Sequence, residues 1–192
     1  SRLRPTRHLP QHLGSCLMSR QVVRDQVVEY LSKADITGLS TIYTFPPKIT
    51  PEGAFYPGQT PNQFQGAIVF TFIERQSEER VAFGGANNGR KFVTYSFVFS
   101  CYFRSTQEQA EVAAMGNEEF LDSFVSAIRA NRTAGAPPNT QNNVWQWGEA
   151  GVNGRGPDIE IQSDLPVLLG GAQEVTQTFS TIRVTVLEEV DT

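Results

Sequence analysis

The chain has 192 residues, 39% of them hydrophobic and 19% charged, with a formal net charge of −4. That length suffices for one well-buried core, and no apolar run approaches the roughly 20 residues needed for a membrane-spanning helix. The charge is segregated: residues 1–17 carry Arg2, Arg4 and Arg7 and no acid, which leaves −7 on the rest, that is −4 less the arm's +3. An acidic body excludes a protein that wraps nucleic acid through clustered Lys and Arg contacts, whereas the basic arm suits an acidic partner. Cys16 in the arm and Cys101 in an apolar run make no disulfide framework, which fits a soluble protein of a reducing compartment.

Residues 1–18 form a basic arm with Pro5, Pro10 and Gly14 and no sustained period. Such a segment builds no core, so it either docks on a neighbouring chain or is a mobile tail. His8, His12 and Cys16 recur every four residues, but Pro10 and Gly14 interrupt the helix that would stack them and no fourth ligand is near, so no metal is assigned. Residues 19–192 read as a single domain. Ser19 is a plausible N-cap for a helix from Arg20 to about Ala34, whose Val23, Val27, Tyr30, Leu31 and Ala34 recur at helical spacing. Leu39–Phe45 is rich in β-branched and aromatic residues and reads as a strand. The long loop 46–66 holds five prolines together with Phe55, Tyr56 and Phe64, aromatics suited either to a partner surface or to folding back on the same subunit.

Ala67–Arg75 reads as a central strand, apolar on both faces near its middle, followed by a charged turn at Gln76–Glu79 and a short stretch Arg80–Phe83. Gly84, Gly85, Asn87, Asn88 and Gly89 then supply a tight turn. The next run, Lys91–Arg104, organises the rest of the chain. Val93, Tyr95, Phe97, Phe99, Cys101 and Phe103 are apolar at every odd position, the period of a strand with one buried face. At roughly 3.3 Å per residue this strand spans about 45 Å, so it is expected to overhang its local partners and offer an edge to another subunit.

Gln109–Met115 is helix-forming, Gly116 is expected to interrupt it, and Asn117 to cap a second stretch. That stretch carries the apolar stripe Phe120, Leu121, Phe124, Val125 and Ile128, suited to covering the odd face of the central strand. A second long loop, 133–158, contains a short strand Val144–Trp147, with Trp145 and Trp147 as candidate anchors for a partner. Asp158–Gln162 is a further possible strand. Glu174–Val190 closes the chain with a phase slip at Ser180: Val175 and Phe179 are apolar at odd positions, Ile182, Val184 and Val186 at even ones. A β-bulge, or a strand that changes the surface it faces, is expected there.

No catalytic constellation is present. Histidine is absent after the arm, which removes the commonest general base. The acidic pairs Glu78–Glu79, Glu118–Glu119 and Glu188–Glu189 are sequence neighbours that read as solvated charge, and Asp158, Glu160 and Asp164 lack a calcium-loop pattern. No enzyme activity and no cofactor are expected. A carboxylate-dependent hydrolase would need two acids converging at about 5 to 10 Å in a cleft, and a binding module would rest on Trp145 and Trp147 alone.

The order of elements is a helix SRQVVRDQVVEYLSKA, a strand, a long loop, a hairpin into a very long strand, a helix NEEFLDSFVSAIRANR, then late strands ending in a long one. Over roughly Met18 to the C-terminus this resembles the tail terminator proteins of long-tailed bacteriophages and the related neck and tail-completion proteins. The resemblance implies an α+β fold: a mixed or mainly antiparallel sheet with long projecting strands, two main helices on one face, and an extended N-terminal arm. It also implies a structural virion protein, assembled in the host cytoplasm as a homohexameric ring that caps the tail tube, ends its polymerisation and joins the head-side connector. Its partners would be itself, the tail tube protein and the connector or head completion protein, with no membrane. Genomic DNA would pass through its lumen without sequence-specific binding. Another neck component, a head completion protein or connector adaptor, is the nearest alternative. The residues expected to meet partners are Arg2, Arg4, Arg7, Phe55, Tyr56, Phe64, Trp145 and Trp147.

Overall fold

A computed structural model of the chain describes residues 20–46, 66–82, 90–106, 110–131, 144–147, 159–169 and 175–191. The protein is α+β. The elements in chain order are α1 (Arg20–Lys33), β1 (Leu39–Tyr43), β2 (Gly66–Ala82), β3 (Arg90–Ser105), α2 (Ala110–Ala130), β4 (Val144–Trp147), β5 (Ile159–Ser163), β6 (Val167–Leu169) and β7 (Val175–Asp191). One mixed sheet runs β1-β2-β3-β7, with β1 parallel to β2 and the remaining pairs antiparallel. Beyond β7 lie three short strands in succession. β4 pairs with residues 186–189, β5 with 180–184 and β6 with 175–177, so one edge of β7 is lined by a broken strand.

Both helices cover the same sheet face. Odd residues of β3, from Val93 to Phe103, and even residues of β7 form one buried cluster with Val23, Val27 and Leu31 of α1 and Phe120, Phe124 and Ile128 of α2. Directly opposed residues of an antiparallel pair share a face, so the register Phe97↔Val184 and Phe99↔Ile182 continues the apolar surface across strands. The helices are joined to each other by Tyr30, whose hydroxyl donates to the Ala127 carbonyl at 2.7 Å.

Four expectations are corrected by the pairing. Gln76–Glu79 is not a turn: β2 continues to Ala82 because β3 pairs with it throughout, and the charged residues are strand residues exposed past the core. A register shift between Ile73 and Arg75 places Glu74 out of step, and this bulge moves the core-facing side from odd to even positions, which hid the strand from a period-two reading. Second, β3 does not outrun its partners. It pairs with β2 over residues 90–104 and with β7 over 90–105, so its own edges are occupied.

Third, α2 is continuous through Gly116. An added Cβ there would lie 3.0 Å from Cζ of Phe103, so the absent side chain admits that ring. The packing outweighs the roughly 1 kcal/mol that glycine costs in a helix, and Asn117 is a buried residue inside the helix rather than a cap. Fourth, β7 has no register shift against β3. Its buried face continues at even positions through Thr176, Thr178 and Ser180. The change at Ser180 is one of polarity, and Phe179 simply faces the other side of the sheet.

Candidate assembly surface

Among the described residues, the outermost segment beside β7 gathers exposed hydrophobic side chains most densely. Residues 160–168 of β5, β6 and their connection are all exposed, and they include Ile161, Val167, Leu165 at 85% and Leu168 at 60%. An edge strand offers unpaired backbone donors and acceptors, and soluble proteins usually guard it with lysines or bulges. Here the inner side is held firmly: Ser163 Oγ lies 2.9 Å from Ser180 Oγ, and the Asp164 amide donates to the Phe179 carbonyl at 2.9 Å. The segment is therefore fixed against β7 while its apolar side chains meet water. Complete burial of such side chains contributes roughly 1.5–3 kcal/mol each.

The far half of β2 shows the contrasting treatment. β1 pairs only with Ala67 to Phe70, and Glu74, Arg75, Glu78, Glu79 and Arg80 are exposed beyond it. Charges of both signs at this spacing guard an edge against pairing. Two loose ion pairs at 3.9 Å tie the guard to the rest of the sheet, Glu78 to Lys91 of the adjacent β3 and Glu74 to Arg183 of β7, one strand further. Glu160 stands opposite Arg183 across β5 and β7. Two carboxylates thus flank a guanidinium in a shallow groove that also includes Ser96 and Thr185, an arrangement of surface charge balance.

The sheet face away from the helices carries a second apolar feature. Tyr43, Phe70, Tyr102 and Phe179 run across β1, β2, β3 and β7, with ring centroids 5.1 Å apart for Tyr43 and Phe70, 6.0 Å for Phe70 and Tyr102, and 5.0 Å for Tyr102 and Phe179. Ile68 and Phe70 are buried, Tyr43, Tyr102 and Phe179 half-buried, and Phe45 exposed at the end of the row. Past Phe179 on the same face, Arg104 donates from Nε to Gln177 Oε1 at 2.8 Å.

At the opposite end of the sheet the helix-covered face contains a buried polar pair. The Tyr95 hydroxyl donates to Glu188 Oε2 at 2.7 Å, and the Glu188 side chain is fully buried. Burial raises the carboxyl pKa above the ordinary glutamate range; the Tyr95 hydrogen bond opposes this and the Glu78 charge adds to it. Burial, with the Glu188 carboxylate beside it, also pushes the Tyr95 phenol well above its usual range. A native pKa above the unfolded value means that the folded state binds more protons. The stability contribution is then full below the unfolded glutamate value, about 4.3, and is lost as pH rises through the folded value. Glu188→Gln keeps an acceptor for Tyr95 and removes the titration. It should match the parent near pH 4 and exceed it at pH 8, each kcal/mol appearing as roughly 2–4 °C in Tm for a chain of this size. Thermal melts at both pH values read this, and parallel pH profiles would sink it.

Of the residues expected to meet partners, Arg2, Arg4, Arg7, Phe55, Tyr56 and Phe64 lie outside the described residues, as do His8, His12 and Cys16. Trp147 is 3% exposed and belongs to the main core, so it plugs the end of the sheet rather than anchoring a partner. Its Nε1 is buried with no acceptor among the described residues. Trp145 sits in β4 opposite Glu188. Cys101 is fully buried and burial pushes its thiol pKa up, the setting of an inert core thiol. Ile161, Leu165, Val167 and Leu168 drew no attention in the sequence. Their hydropathy is that of core residues, and only the strand order puts them at an edge. Compared with known protein families and with curated proteins, the chain matches none.

Proposed function

We infer that this chain is a structural virion protein of the tail-terminator class, which assembles as a ring on the end of the tail tube, stops its growth and joins it to the head-side connector. The observation that carries the reading is the exposed apolar edge formed by β5 and β6. The two ends of the sheet differ, parallel β1 at one and the broken strand at the other. A contact between one such edge and a different surface of the next copy is heterologous, and head-to-tail contacts close into rings when the rotation between copies permits. The guarded half of β2 favours the β5–β6 edge as the side where copies meet.

The test is the solution mass by light scattering over a concentration series at two salt levels, followed by addition to polymerising tail tube protein. The expected result is a hexamer, or a monomer that passes to rings as concentration rises, and tubes of fixed length once the chain is added. Leu165→Lys with Leu168→Lys should leave the urea midpoint nearly unchanged, as exposed substitutions do within about 0.5 kcal/mol, while abolishing association. A chain that stays monomeric and does not alter tube growth would overturn the reading.

A further inference from the structure

We propose that the β5–β6 edge is the docking site for the N-terminal arm, residues 1–17, of a second copy of this chain. The inference rests on the self-association inferred above and names its contact. The edge is apolar and acidic: residues 159–169 contain Glu160 and Asp164 and no Lys or Arg, with Ile161, Leu165, Val167 and Leu168 exposed among them. The arm has the complementary character: Arg2, Arg4 and Arg7, no acid, and leucines at 3, 9, 13 and 17. Glu160 has Arg183 as its cross-strand neighbour, and that guanidinium also faces Glu74 at 3.9 Å; Asp164, in the connection between β5 and β6, is exposed.

The arm is also long enough to cover the edge. Eleven edge residues span roughly 36 Å as strand, and seventeen extended residues reach on the order of 55 Å. An added extended segment gains main-chain hydrogen bonds from the side of the edge that no described strand pairs with, while alternate side chains settle on its apolar residues. Pro166 divides the edge into two short strands, and Pro5 and Pro10 divide the arm likewise. Proline donates no hydrogen bond, so pairing is confined to short pieces on both sides. The charges steer the encounter and set register, and because they are exposed their contribution weakens with salt.

The test uses the full chain with Arg2→Glu, Arg4→Glu and Arg7→Glu, so that its own arm competes poorly, titrated against a fluorescently labelled peptide of residues 1–17. Saturable binding is expected. It should weaken at least tenfold in a chain that carries Glu160→Lys and Asp164→Lys with its own arm arginines kept, so that its arm again competes poorly, and return there with a peptide whose three arginines are glutamates. Leu165→Lys with Leu168→Lys should abolish it, with circular dichroism and urea midpoints confirming that each variant folds. Should the leucine variant misfold, the charge reversals and their rescue decide alone. Absence of saturable binding, or binding indifferent to these edge changes, overturns the proposal. Light scattering on the parent separates the two ideas. A chain that forms rings but ignores the peptide keeps the ring and loses the arm site; a chain that binds the peptide at this edge and associates only into smaller or open assemblies keeps the arm site and loses the ring, and a chain that stays monomeric at every concentration overturns both.

Discussion

Phe124→Ala should remove about 3–5 kcal/mol of folding stability, the usual cost of deleting a buried phenylalanine. That is a large share of the 5–15 kcal/mol a domain typically holds. Phe124 is fully buried between the α2 stripe and the sheet, with its ring 5.2 Å from Phe99 at 66° and 5.8 Å from Phe120. Edge-to-face contacts of this kind contribute roughly 0.5–1.5 kcal/mol beyond the area they bury. The neighbours cannot close the gap, because Phe99 and Phe120 are themselves fully buried in the same cluster. Phe124→Leu keeps most of the volume and should cost much less, about 1.5 kcal/mol. Urea unfolding of the two variants reads the difference, and equal losses would mean that volume is not what matters at this site. Set beside the edge variant, Phe124→Ala separates fold from the proposed assembly: it weakens the platform that carries the β5–β6 edge, whereas lysines at Leu165 and Leu168 leave the platform and remove the contact proposed for it.

The elements legible in the sequence are those whose signal is contained in one periodic stretch. The odd face of β3 and the Phe120–Ile128 stripe of α2 could be read because each buries one face continuously, and the structure packs them together through Phe99 and Phe124. Where burial is decided by a partner strand, the reading failed. The charged half of β2 looks like a turn in isolation, yet the pairing with Phe92 to Ser96 makes it strand. In β7 the buried Thr176, Thr178 and Ser180 carry the core face without apolar side chains, so hydropathy lost a register that geometry keeps. Gly116 has a local reading, a helix break, and a tertiary one, room for Phe103; packing decides between them. The exposed apolar edge of β5 and β6 was invisible for the same reason. Leu165 and Leu168 become surface residues because their segment lies at the edge of the sheet, outside β7.

Gly66→Ala should be at least as damaging as the loss of Phe124, although it adds one methyl group. Gly66 has φ +93° at the start of β2, and an added Cβ would fall well inside contact distance of the Gly38 carbonyl oxygen and 3.1 Å from Ser40 Oγ. That carbonyl is engaged, since the Ala67 amide donates to it at 2.7 Å where β1 meets β2. Conformational strain of about 1–3 kcal/mol is thus joined by a clash with backbone that cannot rotate away, and a total of roughly 3 kcal/mol or more is expected. Gly38 separates the two causes. Its φ is +77°, but an added Cβ meets only Phe120 Cβ at 3.5 Å and Phe103 at 3.6 Å, ordinary contacts. Gly38→Ala should therefore cost only the left-handed penalty, about 1–2 kcal/mol, and Gly38→Asn less, because asparagine tolerates that conformation. At Gly66 asparagine should do no better than alanine. Hydrogen exchange locates the damage: in Gly66→Ala the β1 amides should lose protection before those of β3. Freed of β1, the stretch Ala67–Phe70 would present Ile68 and Phe70 on an unguarded edge, so this variant should also aggregate on heating at temperatures where Gly38→Ala remains soluble. Equal protection of β1 in the two glycine variants would show that the close approach of Gly66 to Gly38 is not what holds β1 in the sheet.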